Sequence, residues 1–269
     1  MFPNGHFSSP IPDIRDIIKR EEAIFGREKP DIIPRNREGE KALLSVLSRY
    51  YDDIPFTAKR EEGDCRYYYD NDCFSYSDAI SLHLMMRHFE PDRIIEVGSG
   101  FSSLVMLDTN ERFFNGKIKL CFIEPDPIRL LSGLRKRESV ELHKKIVQEI
   151  DISFFSESLG AGDFLFIDSS HVSKCGSDVN YVIFEVLPAL KPGVIIHFHD
   201  IFKGWEYPVS WIREGRYWTE IYLLKAFLAH NHDYEILLFN SELDRTAEPL
   251  KSMPLYDINH GGSLYVRKK

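Results

Sequence analysis

The chain of 269 residues has few cysteines and no long apolar run. Its four cysteines contain no CxxC pair, so neither a structural zinc site nor a disulfide framework is indicated. It has no apolar stretch of about 18 residues, which excludes a conventional transmembrane helix. The segment MFPNGHFSSPIPDIRD at its start lacks the basic residues and continuous apolar segment of a secretory signal. We therefore expect a soluble, cytoplasmic protein without a membrane partner.

The chain also lacks a surplus of basic residues. Its formal net charge is -8, and its isoelectric point is about 5.7. A negatively charged protein repels a phosphate backbone unless it carries a basic patch, and we find no such patch in the sequence. We therefore expect no nucleic-acid partner. The hydrophobic content of 43% is enough to bury a full core, which excludes a disordered chain.

The most informative segment is RIIEVGSGFSS, residues 93–103. It predicts a buried strand, then a glycine turn, then a helix that starts near Ser102. Gly98 and Gly100 have a backbone freedom that other residues lack, and they let a ligand approach the main chain closely. The free N–H groups at the start of the helix point at the same place. The segment therefore predicts a site for a nucleotide or nucleoside.

Strands and helices alternate along the rest of the chain. The predicted strands are 93–98, 118–124, 144–148, 163–168, 193–199, 234–240 and 263–267. The predicted helices are 39–51, 75–89, 102–114, 126–137, 152–159, 177–190 and 218–230. This alternation is typical of an α/β domain whose mostly parallel sheet carries helices on both faces.

The first 74 residues differ from this regular pattern because they are rich in proline and charge. We predict that residues 1–74 form a helical and irregular extension of a main domain, residues 75–269. Such an extension either covers the mouth of the active site or makes the contact of a homo-oligomer.

In sheets of this kind, ligands bind beyond the carboxyl ends of the strands. That rule selects the residues that follow each of the first five predicted strands, which are 96–102, Glu124, 148–151, 168–171 and the pair His199 and Asp200. An acid at the end of the second strand can accept hydrogen bonds from both hydroxyls of a ribose. Glu124 and the glycine turn therefore predict one nucleoside site together.

Three other glycine motifs do not match. A dinucleotide fold requires glycine or alanine where this chain has Ser103, and a phosphate-binding P-loop requires a GK[ST] ending. A nucleophile elbow around Ser99 would require glycine at positions 97 and 101. An NAD-linked oxidoreductase and a non-catalytic nucleoside-binding module both stay open as alternative functions.

Residues 75–269 resemble the class I S-adenosylmethionine-dependent methyltransferases. EVGSGFS is similar to the cofactor loop of that family, whose acid before the glycines, here Glu96, organises the methionine end of the cofactor. The resemblance implies that Glu124 binds the ribose and that Gln148 and Glu149 contact the adenine. It also implies a Rossmann-like sheet of seven strands with a reversed final strand. The cofactor-binding residues are then Glu96, Gly98, Ser99, Gly100, Ser102, Glu124, Gln148, Glu149 and Asp168.

FLFIDSSH and LKPGVIIHFHD resemble the branch of that family that methylates small molecules, including antibiotics, sugars and catechols. Several of those enzymes hold a divalent ion between an acid that ends the fourth strand and an adjacent pair that ends the fifth. The matching positions are Asp168, His199 and Asp200. His199 departs from the pattern because those relatives carry an acidic residue there. A nitrogen ligand favours manganese or iron over magnesium.

Methyl transfer to a hydroxyl requires a base or a cation that lowers the pKa of that hydroxyl. A divalent ion at Asp168, His199 and Asp200 would orient the hydroxyl and stabilise the alkoxide. Without a metal, His199 or His171 is the general base, with Asp168 or Asp200 as its orienting partner. Asp168 and His171 also fit purely structural roles as a turn cap and a loop anchor.

The aromatic segment at residues 204–218 either forms a wall for the substrate or packs under a long loop. Taken together, the sequence predicts an S-adenosylmethionine-dependent methyltransferase that modifies a hydroxyl of a small molecule.

Overall fold

The computed structural model describes residues 2–27, 29–135, 138 and 140–269. Within these residues, seven strands form one sheet in the order β3-β2-β1-β4-β5-β7-β6. The strands are β1 Arg93–Val97, β2 Lys119–Ile123, β3 Glu141–His143, β4 Phe164–Ile167, β5 Ile195–Phe198, β6 Tyr234–Phe239 and β7 Leu264–Lys268. The first five strands pair in parallel, and β7 pairs antiparallel with both β5 and β6. The predicted Rossmann-like sheet with a reversed final strand is therefore confirmed.

Helices cover both faces of this sheet. The α-helices are α1 Ile14–Lys19, α2 Arg37–Leu47, α3 Tyr76–Phe89, α4 Phe101–Phe114, α5 Ile128–Gly133, α6 Ile152–Ser158, α7 Asp178–Tyr181, α8 Leu187–Ala189, α9 Val209–Arg213, α10 Glu220–Leu228 and α11 Glu248–Lys251. A π-helical turn, Val182–Val186, joins α7 to α8, so the predicted helix 177–190 is continuous but changes its winding. No helix in the described ranges is long and apolar enough to cross a bilayer.

The central strands are buried on both sides because their side chains alternate between two cores. In β1, Ile95 faces the core that contains Val182 and Ile183, whereas Ile94 faces the core that contains Met85 from α3. All four residues of β4 are buried. Burial contributes about 25 cal/mol for each Å² of apolar surface, so these strands fix the frame that carries the loops at their carboxyl ends.

The prediction of a strand at 144–148 is wrong. The third strand is Glu141–His143, which lies at the edge of the sheet and pairs with β2. The apolar residues after it form the 3-10 turn Val147–Glu149, which buries Val147 in the core. The apolar run that suggested a strand therefore serves to anchor a turn.

Two helix predictions differ from the structure in extent. The predicted helix 126–137 is the shorter α5, and the end of that prediction at positions 136 and 137 lies outside the described residues. The predicted helix 39–51 is α2 followed by the 3-10 turn Ser48–Asp53.

The segment before α3 contributes four buried aromatic residues to the core under that helix. Tyr67, Tyr69 and Phe74 are at most 1% exposed, and Phe56 packs edge-on against both tyrosines. This packing explains why a chain stretch without regular structure lies firmly against the sheet domain. The division of the chain at residue 74 stays a prediction.

Candidate active site

The glycine turn after β1 lies directly against the end of β4. Gly98 has a φ of +90°, and a Cβ at this position would lie 1.8 Å from the carbonyl oxygen of Asp168. Only glycine fits this conformation and this close approach. The turn is further fixed by a hydrogen bond of 3.0 Å from the N–H of Gly98 to the carbonyl of Ile123 at the end of β2. The ends of β1, β2 and β4 are therefore joined at one point.

Glu124 closes this arrangement from the end of β2. Its Oε2 accepts a hydrogen bond of 2.9 Å from the N–H of Ser99, and its Oε1 accepts one of 2.9 Å from the N–H of Asp126. The two elements that the sequence assigned to one nucleoside site are therefore in direct contact.

Glu96 lies beneath the turn. It is fully buried and accepts hydrogen bonds from the hydroxyls of Ser102 and Ser103 at the start of α4. Burial raises the pKa of Glu96 to about 8, although the two serine hydroxyls act in the opposite direction. Glu96 and Ser102 are not among the described residues that line the cleft, so the structure places them in support of the turn.

A cleft of about 620 Å³ opens at the carboxyl ends of the strands, which is a volume typical of small-molecule sites. Nine of the sequence-predicted site residues line it, namely Gly98, Ser99, Gly100, Glu124, Gln148, Asp168, His171, His199 and Asp200. The amide of Gln148 donates to the carbonyl of Gly176 at 2.9 Å. Glu149 is exposed and is not part of the described lining of the cleft. The structure thus brings one member of the predicted adenine-contacting pair to the cleft.

Two imidazoles and two carboxylates meet at a second part of the cleft lining. Nε2 of His171 lies 3.3 Å from Oδ1 of Asp168 and 3.5 Å from Oδ2 of Asp200. Nδ1 of His199 lies 3.4 Å from the same Oδ1 of Asp168 and 3.6 Å from Oδ1 of Asp200. All four residues were predicted from the sequence, and the structure collects them around one point.

The charges of this cluster shift one another's pKa values. Burial lowers the pKa of His171, but Asp168 and Glu220 outweigh that effect and raise it to about 10. Burial also lowers the pKa of His199, and Asp200 and Asp168 raise it well above its usual value. Burial raises the pKa of Asp168, but the two imidazoles bring it below its usual range. Burial raises the pKa of Asp200. Asp168 is therefore held in its charged form by the two imidazoles, whereas burial makes Asp200 easier to protonate than a free aspartate.

Two members of the cluster have an unusual backbone. His171 has a φ of +58° and Asp200 a φ of +59°. Residues other than glycine seldom adopt this left-handed conformation, and where they do it is often at a functional site. The conformation at His171 is fixed by its carbonyl, which accepts hydrogen bonds from the N–H groups of Thr219 and Glu220 at the start of α10.

Two buried carboxylates behind the histidines were missed by the sequence reasoning. Oε2 of Glu220 lies 2.8 Å from Nδ1 of His171, and Oδ2 of Asp78 lies 3.6 Å from Nε2 of His199. Both acids sit in the first turn of a helix, which in a sequence suggests only a favourable interaction with the helix dipole. For Glu220 the available signal was that the rest of α10 is apolar except for Lys225. Asp78 offered no such signal, because α3 contains several other polar residues.

The aromatic residues after β5 fall into two groups, which match the two roles that the sequence allowed: some pack inside the protein and others form a wall of the cleft. Trp205 and Tyr207 are buried, and Trp205 packs on Phe239, so these residues belong to the core. Trp211, Trp218 and Arg216 line the cleft. The guanidinium of Arg216 lies 4.8 Å from the ring of Trp211 and 5.8 Å from that of Trp218. Trp218 also packs on His171, with ring centroids 4.5 Å apart.

The donor set suits a divalent ion. One ligand atom each from Asp168, His199 and Asp200 can be chosen so that all lie within 4.8 Å of one another. Two ligands that are each about 2.1 Å from one ion are at most about 4.2 Å apart, and the separations of 3.4 and 3.6 Å from Nδ1 of His199 satisfy that limit. Two carboxylate oxygens and one imidazole nitrogen are common ligands of first-row transition ions.

Sequence comparison finds relatives of this chain. A family model described as "Methyltransferase domain" matches residues 95–201. An uncharacterized protein of Archaeoglobus fulgidus is 40% identical over 162 residues, which cover 58% of this chain and 72% of that protein. The matched range of the family model begins in β1 and ends just after Asp200, so it contains the glycine turn, Glu124 and the acid–histidine cluster.

Similar solved structures include the O-methyltransferase TomG of Streptomyces achromogenes, involved in tomaymycin synthesis and in complex with S-adenosylmethionine. It is 15% identical with a TM-score of 0.48, and the match covers 94% of this chain and 96% of that one. The methyltransferase PaMTH1 of Podospora anserina, bound to S-adenosylhomocysteine, is 16% identical with a TM-score of 0.47, and the match covers 98% of this chain and 100% of that one.

Proposed function

Because the chain belongs to the class I S-adenosylmethionine-dependent methyltransferases, we propose that it transfers a methyl group to a hydroxyl oxygen of a small molecule. One observation carries this proposal. A single cleft is lined both by the glycine turn with Glu124, which we assign as the cofactor end, and by the acid–histidine cluster, which we assign as the acceptor end. A cofactor held at the first end would direct its methyl group toward an acceptor at the second. In-line displacement requires this alignment of donor and acceptor.

The cofactor end would recognise the adenosyl group. The carboxylate of Glu124 is fixed by two backbone N–H groups, and its remaining lone pairs suit the two ribose hydroxyls. Gly98, Ser99 and Gly100 would let the cofactor lie against the main chain. Glu96 would act from below by holding Ser102 and Ser103, and with them the first turn of α4. Gln148 would lie beside the adenine.

The acceptor end would remove the proton from the hydroxyl. Nδ1 of His171 is held by Glu220, so Nε2 faces Asp168, Asp200 and the cleft. A cation bound by Asp168 and Asp200 would offset the negative charge that raises the pKa of His171, and His171, oriented by Glu220, would then be the residue best placed to act as general base. A divalent ion held by Asp168, His199 and Asp200 would supply a positive charge beside the hydroxyl and lower its pKa.

The residues that line the cleft support a proposal for the shape and the charge of the acceptor. The rings of Trp211 and Trp218 suit a planar or sugar-like acceptor, and Arg216 suits a negatively charged group on it. We propose a cytoplasmic enzyme with a small-molecule acceptor, without a nucleic-acid or membrane partner.

The test is transfer of a labelled methyl group from S-adenosylmethionine to a panel of catechols, phenols and sugars, with manganese, with magnesium and with chelator. We expect transfer to at least one hydroxyl compound, and loss of that transfer in His171→Ala. Cofactor binding without transfer to any hydroxyl would instead favour a non-catalytic nucleoside-binding module. Thermal stabilisation by NAD but not by S-adenosylhomocysteine would favour an oxidoreductase.

A further inference from the structure

His199 lies between carboxylates on both sides of its ring. Nδ1 faces Asp168 and Asp200 at 3.4 and 3.6 Å, and Nε2 faces Asp78 at 3.6 Å. The side chain is only 5% exposed, and Nε2 makes no hydrogen bond to any residue that the structure describes. A buried imidazole nitrogen without a partner is costly, so its position calls for an explanation.

Asp78 is held in place independently of the cleft. Its Oδ1 accepts hydrogen bonds from the N–H of Gly262 at 2.9 Å, from the N–H of Ser263 at 2.9 Å and from the hydroxyl of Ser263 at 2.7 Å. These donors belong to the segment that enters β7. The other oxygen, Oδ2, is thereby turned toward His199. Asp78 thus presents a fixed carboxylate oxygen to Nε2, which at 3.6 Å lies just beyond hydrogen-bond distance.

We propose that Asp78 is a positioning residue that keeps the proton of His199 on Nε2 when a cation binds among Nδ1 of His199, Asp168 and Asp200, so that the lone pair of Nδ1 faces the cation. A neutral imidazole carries one N–H, and the carboxylate behind a histidine determines which nitrogen keeps it. With the lone pair of Nδ1 available, the cluster offers one nitrogen ligand and two carboxylate ligands to a cation. Such a set prefers a transition ion to magnesium, which favours oxygen ligands. This inference rests on the proposed function only in assigning a cation to the cluster.

His171 supplies a matched comparison within the same site. Its Nδ1 lies 2.8 Å from Glu220, and its Nε2 lies 3.3 Å from Asp168. The proposed function gives this second carboxylate–histidine pair the role of a base and not of a ligand. Loss of the carboxylate at Glu220 should therefore change proton transfer, whereas loss of the carboxylate at Asp78 should change metal binding.

Asp78→Asn should change which ring nitrogen of His199 carries the proton, while the side chain at position 78 keeps nearly the same shape. The amide oxygen can keep the contacts with Gly262 and Ser263, whereas the amide N–H₂ then faces Nε2 and requires it to accept. The proton of His199 moves to Nδ1, and a protonated nitrogen cannot bind a metal ion. Residues that orient a metal ligand typically contribute about 10- to 100-fold in affinity, and we expect a loss of that size.

The experiment titrates Mn²⁺ and Mg²⁺ by calorimetry into chelator-treated wild type, Asp78→Asn and Glu220→Gln, and measures the nitrogen hyperfine coupling of bound Mn²⁺ by pulsed EPR. We expect the wild type to prefer Mn²⁺ by about 10-fold or more. Asp78→Asn should lose both this preference and the nitrogen coupling, and Glu220→Gln should keep both. Should Asp78→Asn not fold, Ser263→Ala removes one anchor of Asp78 and should lower Mn²⁺ affinity by a smaller factor.

Unchanged Mn²⁺ affinity and nitrogen coupling in Asp78→Asn would overturn the inference, as would equal wild-type affinities for Mn²⁺ and Mg²⁺. Where only Ser263→Ala folds, unchanged Mn²⁺ affinity in that variant would overturn it. Binding of S-adenosylhomocysteine to the same metal-free samples separates the two proposals. If the wild type does not bind it, the proposed function fails, and the metal titrations still decide the role of Asp78.

Discussion

The backbone N–H of Ser99 donates a hydrogen bond of 2.9 Å to Oε2 of Glu124, which joins the glycine turn after β1 to the end of β2. The two residues are 25 positions apart in the chain, and the parallel pairing of β1 with β2 brings them together. One carboxylate therefore both fixes the turn and borders the cleft. This contact is the structural basis for a single cofactor site.

Glu124→Ala should weaken binding of S-adenosylhomocysteine by about 1–3 kcal/mol, because the ribose hydroxyls lose their acceptor. Isothermal titration calorimetry measures this directly. Glu149→Ala is the matched control, since Glu149 is an exposed acid that is not part of the described cleft lining. It should leave the affinity unchanged. Equal effects of the two substitutions would speak against a specific role for Glu124.

The two glycines of the turn should respond differently to substitution by alanine. Gly98→Ala forces a Cβ to within 1.8 Å of the Asp168 carbonyl, so it should lower the melting temperature strongly. At Gly100, the nearest atom to a Cβ is Nη1 of Arg129 at 3.3 Å, which belongs to a flexible side chain. Gly100→Ala should therefore fold and weaken cofactor binding by about 10-fold or more, because the methyl group keeps the cofactor from the main chain. Wild-type affinity in Gly100→Ala would contradict this.

Glu96 makes stability depend on pH. Its pKa is about 8 in the folded protein and near 4.5 in the unfolded chain. Between these values the folded protein keeps a proton that the unfolded chain releases, so its stability falls as pH rises through this window. Glu96→Gln stays neutral at every pH, so its melting temperature should rise relative to that of the wild type between pH 5 and pH 8. Each kcal/mol of difference in the free energy of unfolding corresponds to about 2–4 °C. A constant difference across this range would show that Glu96 is ionised when folded.

Arg216→Gln should raise the KM for an acceptor that carries a carboxylate by about 10- to 100-fold, equivalent to the 1.5–3 kcal/mol of a hydrogen bond to a charged group. The KM for S-adenosylmethionine should stay the same. Arg213→Gln is the control, because Arg213 pairs with Glu21 and is absent from the described lining of the cleft. Steady-state kinetics with a charged acceptor and its neutral analogue measure both effects. Equal KM changes for the two acceptors would exclude recognition of the charge by Arg216.

The strands that carry the cleft could be predicted because they are apolar on both faces and end at a glycine or an acid. Parallel pairing then brings Gly98, Glu124, Asp168 and Asp200 to one edge whatever the loops do. The edge strand β3 was misplaced because Ile146 and Val147 look more strand-like than Glu141 and His143. Burial of Val147 by a 3-10 turn depends on tertiary packing that no local pattern reports.

Asp78 and Glu220 could not be predicted as part of the site, since Asp78 is 121 residues from His199 and Glu220 is 49 residues from His171 in the numbering. Their role appears only when α3 and α10 pack beside the ends of β4 and β5. The division of the aromatic segment has a similar cause. Trp205 and Trp211 are alike in sequence context, and only the fold shows that one packs on Phe239 and the other faces the cleft.

The most direct measurement is a crystal structure of the protein with S-adenosylhomocysteine. We predict that the adenosyl group lies between the backbone of Gly98 to Gly100 and the carboxylate of Glu124, with both ribose hydroxyls within hydrogen-bond distance of that carboxylate. A ligand bound elsewhere, or a ribose that does not touch Glu124, would contradict the proposed cofactor site and the methyl transfer that depends on it.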